Sequence, residues 1–332
     1  MKKLIITLGL AAAAFLLPGR SQAQIDPHFS QYYAYPLWLN PALTGVINGD
    51  LRINANYRNQ WGSISNAYST AAVSADYRPN ERIGLGLTIL NQSAGDVGFN
   101  YFNALGSFSY GILVSQDGYH HVNFGVQAGL INRSFDMNKA QFGSQYDPEM
   151  GYNGSMPSYE NFMMTNTTVF DANAGIFYYD GNPMKTANVF GGLSVAHLSR
   201  SRDPFSADMS MKMPMRYTFH GGVRIKASDF IDVIPNALYI RQQKAEEKGL
   251  GAYTQIKFPG NNELIAGAMY RFKDAAVASV GYHFNDFVMG MSYDFNTSSL
   301  NRASLGRGGL ELSLSYMIRK RIDEPDEICP RL

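Results

Sequence analysis

The chain has 332 residues, 28 Lys and Arg against 27 Asp and Glu, and a formal net charge of +1, which removes the basic footprint that nucleic-acid binding requires. Charged residues make up 17% and aromatics 13%, with 21 Tyr, 20 Phe and 32 Gly, whereas ordinary soluble domains carry roughly 25% charged residues. A mean hydropathy of −0.20 with 45% hydrophobic residues excludes a polytopic helical membrane protein and intrinsic disorder. The single cysteine excludes a disulfide scaffold and a Cys-cluster metal site.

Residues 1–23 read as a signal peptide. Met1-Lys2-Lys3 is a basic start, Leu4 to Leu17 an apolar stretch, and Ser21-Gln22-Ala23 a small-x-small cleavage site. Cleavage between Ala23 and Gln24 leaves Gln24 as the mature start. A membrane anchor is the alternative, but the apolar stretch falls short of the roughly 20 residues a helical span needs, and Pro18-Gly19 breaks it. The mature chain is therefore exported, and is either soluble or a β-barrel.

Residues 24–49 precede the first strand. Asp26-Pro27 and Asn40-Pro41, with Gly45 beyond, read as N-cap and first-turn pairs, predicting two short helical turns. Pro27, Pro36 and Pro41 each remove a ladder donor, so this is no membrane strand. Yet Phe29, Tyr32, Tyr33, Tyr35, Leu37, Trp38 and Leu39 are too apolar to hang free in the periplasm. The segment must pack under the barrel mouth as a plug, bind a partner, or do both. The spread of Phe29, Tyr32-Tyr33 and Trp38 exceeds one small mouth surface, which favours a partner. The candidate docking residues are Asp26, Pro27, Phe29, Tyr32, Tyr33, Trp38, Asn40 and Pro41.

Over residues 50–318 apolar and polar residues alternate with period two. In Leu51–Arg58, Leu51, Ile53, Ala55 and Tyr57 face one side and Arg52, Asn54, Asn56 and Arg58 the other. Further candidates are Ser69–Arg78, Arg82–Asn91, Phe99–Val114, His121–Asn132, Thr168–Tyr179, Asn188–Ser199 and Met215–Lys226. The series continues with Phe230–Gln242, Gly249–Phe258, Glu263–Phe272, Ala275–Phe284, Phe287–Phe295 and Gly309–Ile318. These amount to about fourteen strands of about ten residues, the length of a tilted membrane strand. A soluble sandwich shows the same alternation, so connection lengths decide. The even connections are tight, as at Pro79–Glu81, Ala227–Asp229 and Asn285-Asp286. The odd ones are longer, as at Trp61–Tyr68, Arg133–Thr167, Arg200–Pro214, Gln243–Lys248 and Asn296–Gly308, with Lys273-Asp274 the exception. Tight periplasmic turns alternating with longer outer loops are the plan of an antiparallel outer-membrane β-barrel with both termini periplasmic. Aromatics near strand ends, among them Tyr68, Tyr77, Tyr217, Tyr270 and Phe295, suit interfacial girdles.

Residues 319–332 form a charge-mixed periplasmic tail, Arg319-Lys320-Arg321 followed by Asp323-Glu324 and Asp326-Glu327. Cys329, beside Pro330, is expected to be an accessible thiol that is free, pairs intermolecularly or marks a docking point. No enzymatic constellation emerges. The six histidines lack metal-ligand spacing, no nucleophile elbow accompanies the serines, and Gly84-Leu85-Gly86 lies inside a strand with no helix to follow. Asp147-Pro148-Glu149 and Asp171 lack the EF-hand pattern and read as solvated loop. The chain is read as a non-enzyme without cofactor, metal or nucleic-acid partner.

Five stretches carry a family resemblance. Asp26–Tyr33 (DPHFSQYY) with Leu39–Gly45 (LNPALTG), and Asn54–Trp61 (NANYRNQW) with the closing Gly308–Tyr316 and Ile328–Leu332, resemble the PorP/SprF family of the type IX secretion system of Bacteroidota. The resemblance implies an outer-membrane barrel, partnered by other type IX components, that supports secretion or surface anchoring of a cognate protein such as a gliding adhesin. It supplies no catalytic residues. The alternative left open is a passive, porin-like solute channel.

Overall fold

Strand Leu51–Gln60 hydrogen-bonds on one side to Tyr68–Asn80 and on the other to the last strand, Arg307–Ile318, so the sheet has no edge. The computed structural model describes residues 26–62, 67–95, 97–159, 164–202, 212–260, 262–298, 304 and 306–318. The predicted signal peptide with Ala23 and Gln24, and the tail with Cys329 and Pro330, lie outside the described residues.

Between the closing pair come Ile83–Ala94, Phe99–Leu113, His120–Ser134, Asn166–Asp180, Ala187–Ala196 and Arg216–Lys226. Then follow Ile231–Gln242, Ala245–Phe258, Asn262–Arg271, Ala275–Phe284 and Phe287–Asn296. With the closing pair and Tyr68–Asn80 this makes a closed 14-stranded antiparallel meander in which each strand pairs with its sequence neighbours. Full closure satisfies every ladder without an exposed edge, which a bilayer demands.

Alternation sets the two faces. On Leu51–Gln60, Arg52, Asn54, Asn56, Arg58 and Gln60 are buried inward, while Ile53 and Tyr57 are exposed outward. Outward side chains of the other strands, such as Val73, Leu87, Val126, Leu193, Leu250 and Leu312, make an apolar belt. Exposed aromatics flank it, with Tyr77, Tyr110, Phe258 and Phe284 toward one rim and Tyr68, Tyr217, Tyr270 and Phe295 toward the other. An apolar band between aromatic girdles is how a barrel meets lipid.

The predicted connection pattern needs one correction. Ala245 pairs with Gln242, so the supposed longer loop Gln243–Lys248 is a two-residue turn. The strand Ala245–Phe258 begins four residues earlier than expected because Glu246 and Lys248 continue the alternation as exposed polar residues. The longest connection, between Ser134 and Asn166, holds a small hairpin, Tyr146–Asp147 against Gly151–Tyr152. Asp147 caps its turn by accepting the N–H groups of Glu149 and Met150 at 2.8 and 3.0 Å.

Candidate functional site: the filled lumen

The lumen holds the chain's own N-terminal segment. Asp26 meets Arg216 and His197, at the ends of strands Arg216–Lys226 and Ala187–Ala196 on the long-loop side. From there the chain runs through the barrel to Gly45, whose N–H donates to Asp76 Oδ2 at 2.8 Å, and to Asp50, whose N–H donates to the carbonyl of Ile318 at 2.9 Å. Asp26 and Ile318, the first and last described residues, therefore lie toward opposite ends of the barrel. Both ends of the chain were expected at the tight-turn side, and the described start is not there. It departs from that side because its aromatics find their burial inside the lumen rather than beneath it.

Three helical turns, not two, shape the segment: Tyr32–Ala34, Pro36–Leu39 and Pro41–Leu43. Asn40 caps the last, its Oδ1 accepting the N–H of Ala42 at 2.9 Å, as its place before Pro41 predicts. Asp26 caps no helix, because its carboxylate is spent on His197 and Arg216.

Irregular backbone at membrane depth survives only when protein satisfies its polar groups, and the wall does this strand by strand. Gln127 Nε2 donates to the carbonyl of Leu37 at 2.9 Å, and Ser194 Oγ to that of Leu39 at 2.8 Å. Asn40 Nδ2 donates to the carbonyl of Ile176 at 3.0 Å and lies 3.1 Å from His220 Nε2. Arg52 grips Asp76 through two contacts of 3.0 Å and donates to the carbonyl of Leu43 at 3.2 Å. Glycine supplies the room: a Cβ on Gly125 would overlap the Pro41–Ala42 backbone, and one on Gly84 the carbonyl of Thr44.

Two apolar clusters flank the segment. Tyr32, Leu39, Leu43 and Val46 pack on Phe177, Phe190, Leu238 and Tyr253. Phe29, Tyr35 and Trp38 pack on Leu90, Tyr101, Ile131 and Met213. These aromatics do not share one surface but divide between opposite walls of the lumen, so burial inside the barrel accounts for them without a partner. Each large buried side chain is worth about 1.5–3 kcal/mol, enough in sum to hold the segment.

Two ionic clusters complete the site. Around Ser30, Glu311 accepts the N–H groups of Ser30 and Gln31 at 2.6 and 2.9 Å and pairs with Arg58 at 3.0 Å. Asp294 accepts Ser30 Oγ at 2.6 Å and pairs with Arg58 at 2.8 Å and Arg271 at 2.7 Å. Around Asp26, His197 lies between two carboxylates, Nε2 at 2.8 Å from Asp26 and Nδ1 at 3.0 Å from Asp171. Arg216 reaches Asp26 at 3.1 Å and stacks over Trp38, 4.5 Å from the ring centroid. Trp38 Nε1 donates to the carbonyl of Pro27 at 3.0 Å.

Both nitrogens of His197 face carboxylate oxygen, so both must donate and the ring is charged. Burial pushes its pKa down, but Asp26 and Asp171 outweigh this and raise it to about 9. Burial pushes Asp26 up, and the charges of His197 and Arg216 overcome this to hold it well below the usual carboxylate range. His28 is driven down by burial and by Arg58 and Arg271 nearby. The position a triad would give to a nucleophile at His197 Nε2 is occupied by Asp26.

Of the sequence-predicted residues, Asp26, Pro27, Phe29, Tyr32, Asn40 and Pro41 are buried in the lumen, and Tyr33 and Trp38 are half-buried there. Asp171, read as solvated loop, is a buried strand residue holding His197. Sequence reasoning missed Arg52, Arg58, Asp76, Arg216, Arg271, Asp294 and Glu311 as anchors of the segment. The available signal was charge and glycine on the inward face of strands whose outward face is apolar.

No curated protein matches this sequence. Among solved structures the chain is similar to the toluene transporter TbuX of Ralstonia pickettii, with a TM-score of 0.54 and 10% identity over 87% of this chain and 94% of that one. It is also similar to the CymD monoaromatic hydrocarbon channel, with a TM-score of 0.49 and 12% identity over 89% and 95% of the two chains. At such identity the likeness to TbuX speaks to the barrel fold alone. Residues 21–316 match the family described as type IX secretion system membrane protein PorP/SprF, and with that match covering the barrel and the segment inside it, the chain belongs to the PorP/SprF family.

Proposed function

We propose that the chain is a non-enzymatic outer-membrane component that supports secretion or surface anchoring of a cognate exported protein, such as a gliding adhesin, without itself conducting that protein. The observation carrying this reading is the filled lumen. A segment fixed to the wall by Asp26 on His197 and Arg216, by Ser30 on Glu311 and Asp294, and by Gly45 on Asp76 leaves no polypeptide-sized passage among the described residues. The cargo's route then lies in other type IX components, and this barrel offers them its outer wall, its long loops and its tail with Cys329 and Pro330. The same filling speaks against a steadily open porin.

The test is removal of the gene from its host, followed by whole-cell proteomics of released and surface-held proteins. Loss of one cognate surface protein, restored by the wild-type chain, is the expected result. An unchanged surface proteome overturns the reading.

A further inference from the structure

Beside the N-terminal segment three cavities follow one another along the barrel axis. The first, of about 230 Å³, lies toward the long-loop end between Tyr32 and the strand positions Gln242 and Ala245. The second is small, about 20 Å³, at mid-depth between Tyr32, Tyr33, Asn236 and Tyr253. The third, about 100 Å³, opens past Tyr33 and Tyr253 to Ile47 and Met317 at the tight-turn end. Tyr32 borders the first and second, and Tyr33, Tyr253 and Ser279 border the second and third. Neighbouring cavities thus share aromatic residues at their borders.

Those side chains form one aromatic group. Tyr33 stacks on Tyr253 with centroids 5.5 Å apart, and Tyr32 meets Tyr33 edge-on at 5.7 Å. Tyr32 OH donates to Asn236 Oδ1 at 2.8 Å. The surrounding wall is small, with Ala252, Gly267 and Ala268 at mid-depth. Rotation of rings opens such a barrier while the ionic anchors of the segment stay in place.

We propose that the barrel carries a second function, a path for small uncharged solutes alongside its N-terminal segment, closed by Tyr32, Tyr33 and Tyr253. The mid-depth lining is aromatic, hydroxyl, amide and small apolar. A bare ion there would lose its hydration without a counter-charge, which is costly. Charged side chains border only the outer two cavities, Asp26, Arg216, Glu246 and Glu247 the first and Arg52 the third, and none borders the mid-depth one. This path is independent of the proposed role in secretion.

The experiment reconstitutes the full chain in liposomes and follows swelling in iso-osmotic glycerol and in raffinose, with heat-modifiable mobility as the check on folding. Wild type is expected to admit glycerol slowly, and Tyr33→Ala/Tyr253→Ala at least ten-fold faster, with raffinose still excluded. Tyr253→Leu, which leaves the segment unaltered, is expected to give an intermediate rate if the double variant fails to fold. Tyr35→Ala loosens the segment against the opposite wall and is expected to stay near wild type. Glycerol entry unchanged in the folded gate variants overturns the proposal. So does raffinose entry, or an equal leak through Tyr35→Ala, because either means the whole segment has come loose.

Discussion

Asn40 stands in the space that a side chain on Gly175 would fill: a Cβ built on Gly175 overlaps Asn40 Oδ1. Gly192 on the neighbouring strand makes the same concession, its Cβ position lying 2.7 Å from Asn40 Nδ2. The two glycines form a notch that receives the cap residue of the segment's last helical turn. The fit of barrel to segment is therefore written into the wall, not only into the segment.

Gly175→Ala tests that relationship. Overpacking costs about 1–3 kcal/mol, and Asn40→Ala alone loses its cap, about 1 kcal/mol. If the two residues share one space, the double variant is more stable than the sum of the single changes predicts, because Asn40→Ala vacates what the new methyl needs. Denaturant unfolding of the purified barrel measures this coupling. Strict additivity would mean the notch does not hold Asn40.

The Ser30 cluster is expected to be the strongest anchor. Glu311→Ala strips Arg58 of one of its two buried carboxylates and leaves the N–H groups of Ser30 and Gln31 without an acceptor. Removing one partner of a buried pair costs about 3–5 kcal/mol. By contrast Glu246→Ala, at the exposed pair with Lys248, is expected to leave the unfolding midpoint unchanged. Equal effects of the two substitutions would refute a special role for the cluster.

The strands were legible in the sequence because a barrel writes its two faces with period two, as Leu51–Gln60 does most clearly. What occupies the inner face was not. Arg52 and Arg58 alternate with apolar neighbours whether they face water or a buried carboxylate; Asp76 lies opposite Arg52 on the next strand, but Glu311, the partner of Arg58, lies at the far end of the chain. His197 and Asp171 meet across neighbouring strands, and Asp26 reaches them only because the N-terminal segment runs inside the lumen. Gly84 and Gly86 face the segment, with Thr44 and Leu37 set against them. Gly125, Gly175 and Gly192 carried the same message on the same face.

Stability against pH should follow His197 and Asp26. His197 has its folded pKa raised from 6.5 to about 9, so its contribution is complete below 6.5 and lost as pH rises through about 9. Asp26 is depressed from 3.8, so its contribution is complete above that value and lost only in stronger acid. The melting temperature in detergent is therefore expected to fall from about pH 7 to pH 10, while His28, depressed in the fold, takes stability away as pH falls below 6.5. His197→Gln should flatten the alkaline fall. A wild-type profile already flat across that range would contradict a charged His197.

The last prediction fixes which way the barrel faces. Long loops outward and tight turns inward is the rule for outer-membrane barrels, and the two ends of this one differ accordingly. Asn153 is exposed in the longest connection, and Ser228 is exposed in the turn between Lys226 and Ile231 at the other end. In a Cys329→Ser background, Asn153→Cys and Ser228→Cys place one thiol at each end. A membrane-impermeant maleimide on intact cells is expected to label the Asn153→Cys variant and to reach the Ser228→Cys variant only after the outer membrane is opened. The reverse pattern would invert the barrel. Because Asp26 lies at the same end as Asn153 while Gly45 lies beside Ser228's end, the result also assigns the direction of the segment in the lumen. With the expected outcome its Asp26–His197 lock faces the cell exterior and its Gly45–Asp76 anchor faces the periplasm.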